Sequence, residues 1–430
     1  MAQEKVPVED LSRKYVDEAL RYLQLFLSKQ TKFLYREPPY QAVSFYENLL
    51  FALLLLRKKQ HQEMLEGKTL LHKLLGFQSA GSFPADLSDY PLCNDRALPV
   101  RVAYILEILV RDFGPILGAE LSGTIASIQE CLLSHLKEQK WPKIEAFYAE
   151  LLLNQSPLQP PEEVLSNPSS FGHMLAALDY FPEYPWKEFL LEKAFLFWDE
   201  EEGMYRGPGC GVFHAGKEQL CTLFDRWMSL HTGRPLKRGW TRESYCELAL
   251  VRSGSIPDVS TAPFFESKNY ALFPNPQGTF AAAFQEVKPH LLRGFSPLRF
   301  VSGGVSLAWK FPHGSLVSFT RQGKRFVGKV KRDDPKIPLL FEIFVERASQ
   351  VHFPKASLFN PFEGIEIQLK KTTLKVYLEP LMSELAGMLC MGNRPSQILE
   401  SEEEPFDWVI ACERIRGEEI EQFSFCVEME

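Results

Sequence analysis

The sequence is poor in the features that mark several large protein classes. Its eight cysteines, at 93, 131, 210, 221, 246, 390, 412 and 426, include no CxxC pair. That spacing excludes a disulfide scaffold and fits buried free thiols in a reducing compartment. No run of five or more Lys/Arg occurs, and 48 basic against 55 acidic residues leave a net charge of −7. The basic footprint of a nucleic-acid-binding protein is therefore missing. The most apolar run, Leu49–Leu56, is bounded by Glu47-Asn48 and Arg57-Lys58-Lys59, and it is far shorter than the ~20 residues of a membrane span. The stretch MAQEKVPVEDLSRKYVDEAL is charged throughout and has no apolar h-region, so no secretory signal is read there. No G-x-S-x-G elbow occurs, which argues against an α/β-hydrolase. The expectation is a cytoplasmic chain with no membrane and no nucleic acid among its partners.

What is there is an ordinary globular composition. The 430 residues are 45% apolar and 24% charged, enough for two to three domains with sizeable cores. The hydrophobic period changes near residue 255. Before it, helical spacing dominates: Tyr15, Ala19, Tyr22, Leu23 and Phe26 form one stripe, and Leu49–Leu56 reads as a helix buried on most sides. The spacing predicts a helix over 216–231, with Leu220, Leu223, Phe224, Trp227 and Leu230 on one face, and Asp225 and Ser229 opposite. Gly233 and Pro235 supply its stop.

After residue 255 alternation takes over. Ile365, Ile367 and Leu369 point one way, Glu366, Gln368 and Lys370 the other, and Leu374, Val376 and Leu378 resume the pattern. Hairpins are also expected around Gln322-Gly323-Lys324 and across Gly417, single strands over 264–273, 279–287 and 299–311, and a short helix over 381–390. Roughly ten strands joined by short polar links favour antiparallel pairing. The fold class is thus an α+β multidomain chain, with a helical-hairpin domain over 1–255 and an antiparallel β-sandwich over 256–430.

One junction carries a resemblance. Phe197-Trp198-Asp199-Glu200-Glu201-Glu202-Gly203-Met204-Tyr205-Arg206 is an aromatic-acidic helix exit followed by Gly and Tyr. It resembles the connections between helix pairs in (α/α)-toroid carbohydrate-active enzymes. An α-toroid followed by an antiparallel sandwich resembles heparinase-type and chondroitinase-type polysaccharide lyases. The resemblance implies a toroid-like helical domain, an oligosaccharide partner, no cofactor, and β-elimination at a uronic acid.

Candidate residues cluster in long polar connections. Gly203–Lys217 (GMYRGPGCGVFHAGK) holds five glycines with Tyr205, Arg206, His214 and Lys217, a plausible cleft wall. Elimination needs a base, a group that neutralises the carboxylate and an acid for the leaving oxygen. Tyr205 or His214 is assigned as base, Arg206 as neutraliser and Tyr270 as acid. Asp86 and Asp89 in 79–96, and Arg238 and Trp240 before a helix capped by Thr241, are assigned to substrate binding. In the bland alternative the aspartates cap turns and Trp240 anchors an interdomain seam. An inverting glycoside hydrolase would instead pair Asp86 or Asp89 with Asp199 or Glu201. A non-catalytic binding or scaffold protein is the third reading. Gly211–Lys217 fits G-x-x-x-x-G-K, but Glu218 stands where a Mg²⁺-binding hydroxyl belongs. Cys210, His214 and Cys221 match no zinc spacing, so no metal is expected.

Overall fold

A computed structural model describes residues 6–36, 42–79, 81–137, 141, 143–154, 162–165, 167–199, 203–205, 220–236 and 239–252. Further along it describes 265–267, 270–275, 278–283, 298–302, 305–312, 315–322, 325–346, 350–352, 358–359, 364–368, 373–378, 384–391 and 406–429. The chain falls into two compact units, one built on Met1–Tyr205 and Leu220–Ser260, the other on Thr261–Glu430.

The first unit is helical. Its elements are α1 (Val8–Leu23), α2 (Phe45–Arg57), α3 (His61–Leu75), α4 (Leu98–Leu117), α5 (Ala119–Leu136) and α6 (Lys143–Leu153). There follow α7 (Glu162–Leu165), α8 (Pro168–Leu178), α9 (Lys187–Phe197), the strands β1 (Trp198–Asp199) and β2 (Met204–Tyr205), α10 (Leu223–Thr232) and α11 (Arg242–Glu247). Consecutive helices pack as pairs, α2 on α3 and α4 on α5. The α4–α5 turn is Gly118 alone, at φ 84°, a left-handed value that suits glycine. As the apolar run implies, every residue of Leu49–Leu56 is buried. The polar Asn48 beside it is also buried, because its amide mimics a strand neighbour: Leu34 N–H donates to its Oδ1 at 2.7 Å, and its Nδ2 donates to Leu34 O and Ser44 O.

The helix expected over 216–231 begins later, at Leu223. Thr222 and Asp225 form a reciprocal capping box, which satisfies two N-terminal donors at once. Gly233 ends the helix in the left-handed region, as anticipated. Leu220, assigned to the apolar face, lies before the helix and is exposed. Two residues of the supposed polar face, Asp225 and Ser229, are buried, as is the neighbouring Arg226. Asp225 and Ser229 tolerate burial because partners are built in. Leu236 N–H donates to the Tyr15 hydroxyl, which bonds Ser229 Oγ at 2.8 Å, and Ser229 donates to Arg234 O.

Among the described residues, the regular elements of the second unit are all strands. It comprises β3 (Phe265–Ser267), β4 (Tyr270–Asn275), β5 (Gly278–Ala283), β6 (Leu298–Ser302), β7 (Val305–Lys310), β8 (Leu316–Gln322), β9 (Arg325–Lys331) and β10 (Leu339–Glu346). The rest are β11 (Gln350–His352), β12 (Leu358–Phe359), β13 (Ile365–Gln368), β14 (Thr373–Leu378), β15 (Glu384–Met391), β16 (Phe406–Arg416) and β17 (Gln422–Met429). A nine-stranded sheet runs β12-β15-β16-β10-β7-β6-β5-β4-β3, and a six-stranded sheet runs β11-β13-β14-β17-β9-β8. All their pairings are antiparallel. One buried cluster joins both sheets: Phe341, Ile343, Ile410 and Cys412 from the larger meet Phe326, Ile367, Val376, Phe423 and Phe425 from the smaller. That is a β-sandwich core. The chain is thus α+β, a helical unit followed by an antiparallel sandwich.

Within the sandwich, three details differ from expectation. The stretches 264–273 and 299–311 each break into a hairpin, β3–β4 and β6–β7, so fifteen strands are described rather than ten. Residues 384–391 form a strand, not a helix. Pairing of β15 with both β12 and β16 overrides the helical preference of Glu, Leu, Ala and Met. Finally, β16 and β17 are not a hairpin: β16 pairs with β10 and β15, β17 with β9 and β14. The link through Gly417, at φ 106°, carries the chain from one sheet to the other. Alternation alone reports which side chains turn inward, not which strand lies alongside.

Candidate functional site

A pocket of about 280 Å³ lies inside the helical unit. Among the described residues, three stretches supply its polar lining. The first is the start of α2 with the strand-like residues before it, contributing Arg36, Tyr46 and Glu47; the second is the start of α4, contributing Asp95 and Arg101; the third is α11, contributing Glu243, Cys246 and Glu247.

Each wall is held by its own polar contacts. Arg101 Nε and Nη2 donate to Glu145 Oε1 at 2.8 and 2.5 Å, and its guanidinium lies 5.6 Å from the Tyr46 ring centre, a cation–π distance. Burial pushes the Tyr46 phenol well up, with Glu247 adding to it. Arg242 donates to Glu47 Oε2 at 2.8 Å and to Tyr35 O at 2.5 Å, tying α11 to α2. Arg36 lies 3.7 Å from Glu47 and 3.9 Å from Asp86. Asp95 Oδ1 accepts from Ala97 N–H at 2.8 Å and Leu98 N–H at 3.2 Å, capping α4.

Behind Glu247 runs a buried chain. Its Oε1 is 3.2 Å from His173 Nε2, and His173 Nδ1 is 2.8 Å from the Tyr148 hydroxyl. A carboxylate only accepts, so Nε2 carries a proton. Burial raises the Glu247 carboxyl, but His173, Arg226 and Arg101 outweigh it and hold the group below its ordinary value. The cavity therefore presents an ionised carboxylate at the end of a fixed hydrogen-bonded line.

The residues singled out in the sequence are distributed differently. Tyr205 is in the core, 3% exposed. Its hydroxyl donates to Leu165 O at 2.5 Å and its N–H to Asp225 Oδ1 at 2.7 Å. A buried phenol whose proton is already donated to a carbonyl is placed as a structural group. Arg206, His214 and Arg238 lie outside the described residues, as do Glu201, the cysteine at 210 and the whole Gly211–Lys217 stretch. Tyr270 begins β4, opposite Ser267 and Ala283. Asp86 reaches the cavity's Arg36, whereas Asp89 is exposed on the short turn Leu87–Asp89.

Trp240 is packed within the helical unit. Its ring stacks on Tyr245 at 4.9 Å, meets Tyr15 edge-on at 4.8 Å and lies under the Arg226 guanidinium at 4.2 Å. Cys221 and Cys246 are buried, and burial pushes the Cys246 thiol up. His231 Nδ1 donates to Trp227 O at 2.8 Å. Among the described residues no group of three or more His, Cys, Asp or Glu could hold a metal ion, and no helix is long and apolar enough to cross a membrane.

Most of the cavity residues escaped the sequence reading because they come from segments some 200 positions apart. One signal was present: Glu243 and Glu247 stand four apart behind the Thr241 cap, which puts both on one helix face.

No protein-family model and no curated protein matches the sequence. Among solved structures, heparinase III (the BT4657 gene product) aligns over 100% of this chain and 87% of its own, with 10% identity and a TM-score of 0.42. A methylated-lysine form of the same protein aligns over 99% of this chain and 84% of its own, with 11% identity and a TM-score of 0.32.

Proposed function

We propose that this protein is carbohydrate-active and that its helical unit holds one sugar residue in the Arg101–Glu247 cavity. The observation that carries this reading is the lining. Guanidiniums, carboxylates and a phenol converge on a space of about 280 Å³, close to the lower end of small-molecule sites. A sugar ring offers vicinal hydroxyls that bond carboxylates and guanidiniums in pairs, and a C–H face that packs on an aromatic ring. The test is titration of the full chain against a panel of mono- and oligosaccharides by calorimetry, with Arg101→Ala as control. Saturable binding that the variant loses supports the reading; no binding across the panel removes it.

The finer reading is β-elimination on a uronic-acid-containing saccharide. Tyr205 or His214 is then the base, Arg206 neutralises the carboxylate and Tyr270 supplies the leaving group's proton, with Asp86, Asp89, Arg238 and Trp240 as substrate contacts. Incubation with uronate polymers, followed at about 235 nm for the unsaturated product of proton abstraction, tests it. The alternative is a binding protein without chemistry, favoured by the inward commitment of the Tyr205 hydroxyl. Saccharide binding without any rise in absorbance selects that alternative.

A further inference from the structure

Residues 86–94 leave the pocket wall at Ala85 and return to it at Asp95. Both ends of this loop are pinned. Phe45 N–H donates to Ala85 O at 3.0 Å and Leu87 N–H to Val43 O at 2.9 Å, so the outgoing end pairs with the residues that open α2. Asp95, at the other end, caps α4. The loop is therefore a rim of the pocket, and its middle is apolar at the surface: Tyr90 is 47% exposed and Leu92 62%.

Tyr90 does not stand alone. Phe77 meets it edge-on at 5.6 Å, and Phe33 meets Phe77 at 6.4 Å; both phenylalanines are half-buried. Two short tethers hold this row of rings to one side of the pocket. Phe33 is three residues from Arg36 and Tyr90 four from Asp86, and the side chains of Arg36 and Asp86 approach to 3.9 Å. Three and four residues span at most about 11 and about 14 Å. An edge-on contact takes at most one face of a ring, which leaves the exposed Tyr90 a face for a ligand.

We propose that Tyr90, backed by Phe77 and Phe33, is a second saccharide subsite, and that the ligand is an oligosaccharide with one residue in the pocket and the following residue stacked on Tyr90. The proposal rests on the saccharide reading above and extends it from a single ring to a chain. The C–H face of a sugar matches an aromatic ring, while its hydroxyls stay in water at this exposed rim.

The experiment is calorimetric titration of the full chain with two length series, glucose to cellotriose and galacturonate to trigalacturonate. In the series that binds, the trisaccharide is expected to bind about tenfold more tightly than the monosaccharide, the scale of one ring contact. Tyr90→Ala is expected to lower trisaccharide affinity by about that factor, and Tyr90→Phe, which keeps the ring, to retain it. Leu65→Ala, at another exposed apolar position on α3, is expected to change neither. Equal affinity for monosaccharide and trisaccharide overturns the subsite while the saccharide reading stands. A gain with length that survives Tyr90→Ala overturns it too. Silence across both series removes the subsite and the saccharide reading together.

Discussion

His173 Nε2 stands 3.2 Å from Glu247 Oε1, and this contact joins the buried Tyr148 to the cavity wall. It also sets a pH dependence. Because the folded-state carboxyl lies below its unfolded value, folding favours the ionised form. The stabilisation is complete above the unfolded glutamate value of about 4.3 and is lost as pH falls through the lower folded value. Glu247→Gln is expected to flatten the acid limb of stability against pH. His173→Ala removes the main groups opposing desolvation and is expected to move the acid-unfolding midpoint upward, as read by circular dichroism. An unchanged midpoint in both variants would show that the pair contributes nothing.

Tyr205→Phe separates structure from chemistry. Loss of the bond to Leu165 O leaves a buried carbonyl unpaired and is expected to cost about 1–2 kcal/mol in urea unfolding. Any turnover of a uronate polymer is expected to persist. Turnover abolished with stability intact would return Tyr205 to the role of base.

Trp240→Ala is expected to destabilise the helical unit by about 3 kcal/mol. It empties the place between Tyr15, Tyr245 and Arg226 and leaves that buried guanidinium uncovered. Sugar affinity measured below the melting transition is expected to stay at the parent value. Loss of affinity without loss of stability would make the indole a sugar platform after all.

Two glycines mark contacts that admit no side chain. A Cβ on Gly172 would lie 2.3 Å from Phe224 N, so α8 and α10 could not approach as they do. A Cβ on Gly328 would lie 2.2 Å from the Phe425 ring, its partner across β9 and β17. Gly172→Ala and Gly328→Ala are each expected to cost about 3 kcal/mol through overpacking, measured by chemical denaturation. Changes below about 0.5 kcal/mol, the range of surface substitutions, would show that the backbones shift freely.

Periodicity alone determined that a helical part precedes a strand part, that Leu49–Leu56 is buried, that Gly233 stops a helix and that Ile365, Ile367, Leu374, Val376 and Leu378 point inward. These follow from solvent transfer and local backbone geometry, which neighbouring residues encode. Tertiary structure decided what local pattern leaves open. It put β16 and β17 in opposite sheets, made a strand of Glu384–Met391, buried Asp225 and Ser229 by supplying their partners, and gathered Arg36, Arg101 and Glu247 around one cavity. Partner choice between distant segments depends on packing and polar satisfaction across the whole unit, and no window of adjacent residues contains that information.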